Sequence, residues 1–243
     1  MNKVDKNKSR TRLEQRESDI IEAATRLFAE EGYHGTSTRK IAAEAGVSEG
    51  TLFHYYSTKN VLLLAILDGF YGGLMETASE GIQEMMGTRE RLLFLARNHL
   101  RALMDNQALM MRLIQVYLSV DANYYKDYKN SPVHDLNYRY TRIFDNVVRE
   151  GMERGYIKAD LELSAMRDLF FGGLEYGMRT LMGRKYSGGK IIAYVEAIVE
   201  PLWQSMQASD DGHVAGTGAS VPRLDDACKR LEKIAERLEK AGK

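Results

Sequence analysis

The sequence predicts an all-α chain: an N-terminal three-helix unit, a longer helical unit behind it, about nine helices in all, and an extra helix at the C-terminus. Three observations predict this. Apolar residues recur three and four positions apart over most of the 243 residues, the period of an α-helix with one buried face. Gly46 interrupts that period between two short segments, as a steep turn between packed helices requires. Longer segments are separated by breaks near Gly87 and Thr88, from Val120 to Pro132, from Gly155 to Asp160 and from Ser187 to Gly189.

Residues 1–17 come first, a polar arm without an apolar run. Over residues 1–16, Lys3, Lys6, Lys8, Arg10, Arg12 and Arg16 face only Asp5 and Glu14. Such a segment buries too little to offset its ordering entropy and is expected to be disordered when free. Its charge suits a polyanion, because each neutralised phosphate releases counterions. The whole chain has a formal net charge of zero, but that average hides this basic start.

Residues 18–58 form the three-helix unit. Ile20, Ala24, Leu27 and Phe28 share one helical face, and the helix is expected to end near Gly32. Thr36, Ser37 and Thr38 offer N-cap oxygens for a second helix and Ser48 for a third. Ile41, Val47 and Leu52 are spaced to bury against the first helix, and Ala42 is small enough to let the second approach. This is the geometry of a helix-turn-helix.

From Arg16 to Leu63 the chain reads RESDIIEAATRLFAEEGYHGTSTRKIAAEAGVSEGTLFHYYSTKNVLL. In order, spacing and residue type this resembles the N-terminal DNA-binding domain of the TetR family of transcriptional regulators. The resemblance implies that Thr38 and Arg39 open the second helix toward the phosphate backbone. It implies that Glu49, Gly50, Thr51, Phe53, His54 and Tyr55 make a recognition helix for the major groove, and that Lys59 meets the backbone at the start of the next helix. Gly50 and Thr51 are the expected base contacts, the latter through the methyl of a thymine. The family commonly has Tyr where this chain has Phe53, which removes one phosphate hydrogen bond that the Tyr55 hydroxyl could supply instead.

Residues 59–206 are read as a ligand-binding and dimerisation domain with helices at about 59–84, 89–105, 107–119, 133–154, 162–183 and 190–207. The segments around Met104, Met111, Tyr117, Phe170 and Tyr176 are rich in methionine and aromatic side chains, which adapt to varied apolar shapes. With His99, Arg112, Asn146 and Arg179 as polar fixers, they are the candidate pocket for a small apolar or amphipathic effector. A fatty acid or acyl thioester is favoured, with aromatic or multidrug-like compounds next.

Glycines weaken a helix, so Gly172, Gly173 and Gly177 suggest close helix approach. The family resemblance implies that the last two sensor helices pair with their copies in a homodimer. Phe170, Leu174, Met178 and Leu181, with Ile191, Tyr194, Val195, Ile198 and Leu202, are the expected interface. Two-fold pairing lets two short recognition helices read two half-sites of a near-palindromic, double-stranded operator. The family's usual behaviour makes repression the expected sign of regulation.

Residues 207–222 have the composition of a flexible linker. In 223–243 Leu224, Leu231 and Leu238 recur every seven residues, with Ala227, Ile234 and Ala241 three after each, an a/d pattern for a short amphipathic helix. The single Cys228 excludes an internal disulfide, and His34, His54, His99, His134 and His213 lack metal-ligand spacing, so no metal and no cofactor are expected. No nucleophile elbow, P-loop or dinucleotide fingerprint is present, and the chain is not expected to be an enzyme. No apolar stretch is expected to span a bilayer, which points to the cytoplasm and away from a membrane. The alternative to a regulator is a helical protein-interaction module with a vestigial helix-turn-helix; Thr51, Tyr55 and Lys59 speak against it.

Overall fold

A computed structural model describes residues 3–105, 109–120 and 126–208. Helix α1 (Lys3–Gly35) breaks at Gly32, whose φ of 76° lies in the left-handed region that glycine alone adopts without strain. The break aims Thr36 inward, where its buried hydroxyl donates to the carbonyls of Gly32 (2.8 Å) and Leu27 (3.2 Å). The expectation of a disordered arm is corrected here, since the backbone from Lys3 onward is helical and continuous with α1. Its Lys, Arg, Gln and Glu residues are good helix formers, and no Gly or Pro interrupts them before Gly32. The Gln15 amide also donates to Asp19 one turn later (2.8 Å).

Helices α2 (Thr38–Glu44) and α3 (Glu49–Tyr55) are capped by Ser37 and Ser48, whose side chains accept from the backbone N–H of Lys40 (3.2 Å) and Thr51 (3.0 Å). Gly46 lies between them at φ 65°, as the turn requires. Ile41, Ala42 and Leu52 are buried against Ile20, Ala24, Leu27 and Phe28 of α1, and Val47 is half-buried at the rim. This small core holds α3 at a fixed angle with its outer face open.

Thr58 caps α4 (Lys59–Gln83) by accepting from the Val61 N–H (3.1 Å). Contrary to expectation, α4 is long and apolar enough to cross a membrane by length and composition. The cause is the run from Val61 to Leu74, in which Asp68 is the single charge. Leu62, Leu63, Ile66, Leu67, Tyr71, Leu74 and Ala78 are instead buried in the helical core.

Around α4 pack α5 (Thr88–Asp105), α6 (Leu109–Val120) and α7 (Pro132–Glu153), the last preceded by a 3-10 turn (Tyr128–Asn130) and opened by Pro132, whose fixed φ suits a first helical turn. Helices α8 (Leu163–Gly183) and α9 (Gly189–Met206) pack on each other and on α5. Gly81 lets α4 and α5 meet: a Cβ there would fall 1.9 Å from the ring of Phe94. The loop before α8 is tied to the end of α9, with the Lys158 N–H donating to Met206 (2.9 Å) and the Ala208 N–H to Tyr156 (3.0 Å).

The backbone through Ala208 belongs to one compact unit, so the expected boundary at 58 and 59 does not divide it into separate bodies. The linker at 207–222 beyond Ala208, and the amphipathic helix at 223–243 with Cys228, lie outside the described residues.

Candidate nucleic-acid interface and sensor cleft

The outer face of α3 presents Gly50, Phe53 and His54 to solvent, with Arg39 and Lys40 exposed on neighbouring α2. Several of the expected contacts are already engaged within the chain. The Thr38 hydroxyl donates to the Glu49 carboxylate (2.7 Å), tying the starts of α2 and α3 together. The Thr51 hydroxyl lies 2.8 Å from that of Ser48, and Thr51 is half-buried. Tyr55 donates to the carbonyl of Leu13 (3.3 Å), and buried Tyr56 donates to Glu17 (3.2 Å). Burial and the Glu17 carboxylate push the Tyr56 phenol up from its ordinary value.

Lys59 is placed differently from the expectation of an outward phosphate contact. Its ammonium donates to the carbonyls of Tyr33 (2.8 Å) and Thr36 (2.9 Å) and lies 4.3 Å from the Tyr33 ring centroid. These carbonyls follow the break at Gly32 and have no helical partner, so a cation at the start of α4 satisfies them. Partial burial holds the Lys59 amine below its usual range. Tyr33 also donates to Asn60, completing a clamp between the end of α1 and the start of α4.

In the sensor half, the side chains expected to line a pocket do not converge. Arg112, Asn146, Tyr176 and Arg179 are exposed, with the Arg179 guanidinium 5.5 Å from the Tyr176 ring centroid and Asn146 accepting from Arg149 (3.4 Å). Met104 and Met111 are half-buried, whereas Tyr117 and Phe170 are buried in the core. A cleft of about 500 Å³ opens elsewhere, between α7 and α8. His134, Asn137, Tyr138 and Thr141 line it from α7; Ser164, Arg167, Asp168, Phe171, Gly172 and Glu175 line it from α8. None of these is a pocket candidate by sequence, because the cleft comes from the angle between two helices rather than from a local motif.

Two buried polar atoms lie one residue behind this cleft. His99 is stacked on Tyr140 (5.6 Å, 14°), with its Nδ1 3.1 Å from the Tyr140 hydroxyl and its ring edge-on to Phe171 (5.2 Å). Its Nε2 is buried without a partner, and burial lowers its pKa to about 4, so the imidazole is neutral. Asp145 is buried with one carboxylate oxygen 3.5 Å from both Arg149 and Arg167, while the other has no partner. Burial raises the Asp145 carboxyl against the pull of these guanidinium groups, and burial raises Glu175 as well. An unpaired buried polar atom costs about 1–3 kcal/mol, so two beside one cleft are a standing demand for partners.

The expected dimer face is corrected at several positions. Phe170, Leu174, Leu181 and Val195 are fully buried in the chain's own core and Met178 nearly so, whereas Ile191, Tyr194, Ile198 and Leu202 are half-buried. Two of the three glycines serve the packing of α8 on α9: a Cβ on Gly177 would fall 2.8 Å from Ile198 and 3.1 Å from Tyr194, and one on Gly173 3.3 Å from Ile198, whereas one on Gly172 would meet nothing within 4 Å. The large apolar side chains that these helices do expose are others, namely Leu169 (59%), Tyr176 (70%), Met182 (43%) and Ile192 (48%).

A helix-turn-helix with an open recognition face, joined through a clamped long helix to a helical body with a polar cleft, defines a DNA-binding transcriptional regulator. A model described as bacterial regulatory proteins of the tetR family matches residues 20–66, and one described as the C-terminal region of YsiA-like proteins matches residues 70–200. The chain belongs to the TetR family of transcriptional regulators. It is 27% identical over 189 residues to the fatty acid metabolism regulator protein of Bacillus subtilis (strain 168), covering 75% of this chain and 91% of that one. It is 26% identical over 148 residues to the HTH-type transcriptional repressor KstR2 of Mycobacterium tuberculosis, covering 61% and 72%. The crystal structure of the regulator FadR from Bacillus subtilis in complex with stearoyl-CoA superimposes with a TM-score of 0.66 at 26% identity, over 78% of this chain and 99% of that one. These relatives are regulators.

Proposed function

We propose that the chain is a cytoplasmic repressor that binds a near-palindromic operator as a homodimer and is released by an amphipathic effector, fatty acyl compounds first. The observation that carries this reading is the cleft between α7 and α8, backed by the unpaired atoms of His99 and Asp145. Its volume is in the range of small-molecule sites. Its mouth is polar, whereas Phe171 on its wall packs against Tyr140, Phe144 and Phe170 of the aromatic core. A ligand with a polar head and an apolar tail fits that gradient. The stearoyl-CoA complex of the Bacillus subtilis regulator supports the acyl class.

The route to the reader is short. Arg139 of α7 pairs with Asp68 of α4 (2.8 Å), and α4 begins at the Lys59 clamp on α1. An effector that prefers one spacing of α7 and α8 shifts the population of reader orientations by that difference in affinity. Exposed Leu169, Tyr176 and Ile192 support dimerisation through α8 and α9, since water contact of such side chains is removed by a second copy.

A mobility shift on the DNA upstream of the chain's own gene tests the reading. Retardation at moderate salt, reversed by micromolar stearoyl-CoA but not by coenzyme A alone, is expected. Absence of sequence-specific retardation overturns the regulator reading; retardation indifferent to acyl compounds overturns the effector class.

A further inference from the structure

We infer that the recognition helix reads its operator chiefly through an apolar contact, the Phe53 ring against the C5-methyl of a thymine. The inference rests on α3 being the groove-entering helix and adds the base feature that it reads. It follows from what the other side chains of α3 are already doing. Glu49 accepts from Thr38, Thr51 shares a hydrogen bond with Ser48, Tyr55 donates to Leu13, and Tyr56 is buried with Glu17. Gly50 has no side chain, and a Cβ there would meet only Ser48 Oγ at 3.8 Å.

Phe53, one turn beyond Gly50 and on the same face, is 44% exposed and takes no part in the hydrophobic core. A phenyl ring held in water on a helix that enters the major groove gains most from the one apolar group displayed there, the thymine methyl. The bare backbone at Gly50 lets the helix come close enough for a ring without a polar tip to reach it. His54 remains exposed beside Phe53, but its ring packs edge-on against Tyr55 (5.9 Å).

Replacing thymine by uracil removes the methyl and leaves every hydrogen-bonding group of the base in place. The experiment selects duplexes from a randomised pool with the full chain, then substitutes dU for dT one position at a time in both half-sites. Kd is read by fluorescence anisotropy at fixed salt for the wild type, Phe53→Ala, Phe53→Leu and Thr51→Ser. Loss of one buried methyl is expected to weaken wild-type binding about fourfold per half-site, at one thymine. Phe53→Ala binds the dT and dU duplexes equally, Phe53→Leu keeps some of the difference, and Thr51→Ser keeps all of it.

Enrichment of a duplex in which no thymine is sensitive overturns the inference, as does a difference that survives Phe53→Ala or vanishes in Thr51→Ser. Failure to enrich any duplex overturns the regulator reading itself. Melting temperatures of the variants within a degree or two of wild type show that the exposed position is not acting through stability.

Discussion

The reader and the sensor of this chain are built on opposite plans. In the reader, the important side chains meet partners close by in the chain, and capping hydroxyls, the left-handed glycines Gly32 and Gly46 and a small apolar core position them. In the sensor, the cleft is made by side chains of α7 and α8, and the residues behind it come from α5 and α7. Among the described residues, the reader leaves no buried side-chain N or O atom unpaired, and it presents a bare apolar tip. The sensor leaves two buried polar atoms unpaired. Local construction pairs the polar groups of the reading surface, whereas packing distant helices leaves two polar atoms of the sensor interior without partners.

The comparison breaks most visibly at His99. Its neutral form is favoured by burial, with the folded pKa lowered from 6.5 to about 4. The unfolded chain therefore binds a proton below pH 6.5 that the native chain refuses. The associated stability is present above pH 6.5 and is lost as pH falls toward 4, by roughly 3 kcal/mol over that window. Denaturant titrations at pH 7 and pH 4.5 are expected to show a larger drop for wild type than for His99→Gln. Equal drops would mean that the sensor interior admits water.

The joint between the two regions comes next. Lys59→Met keeps much of the side-chain length but removes the charge that satisfies the carbonyls of Tyr33 and Thr36. A loss of about 2 kcal/mol is expected in urea unfolding, from two charge-assisted hydrogen bonds and the carbonyls left behind. Were Lys59 a free phosphate ligand instead, stability would be unchanged and the salt slope of DNA binding would fall by about one.

The smallest effect falls within the reader. Gly46→Ala forces a side chain into φ 65°, at a cost of about 1 kcal/mol. A calorimetric melt is expected to show a lowered melting temperature, with DNA affinity reduced alongside because the turn sets the angle of α3. Unchanged melting would show that the turn relaxes without strain.

Legibility in the sequence followed the same division. Ser37, Ser48 and Gly46 were readable because capping and turn chemistry act over three or four residues, and the helix ends from α4 to α9 came out within one or two positions for the same reason. Composition misled at two places. The basic start looked disordered although its residue types favour helix, and α4 is more apolar than expected. Arg112, Asn146 and Arg179 were plausible effector ligands by chemistry, but each points to solvent. Phe170, Leu174, Leu181 and Val195 carried the right apolar pattern for an interface and serve the internal core, since a period of 3.6 marks a buried face without saying which surface buries it.

By itself the sequence determined an all-helical TetR-family regulator, the helix-turn-helix and the caps that hold it, because backbone hydrogen bonding and side-chain periodicity are local. Tertiary structure alone decided which hydroxyls of α3 are consumed, where Lys59 points, and that the cleft lies between α7 and α8 with His99 and Asp145 behind it. Those outcomes depend on the angles at which whole helices cross, which are set by the summed packing of many side chains distant in the chain.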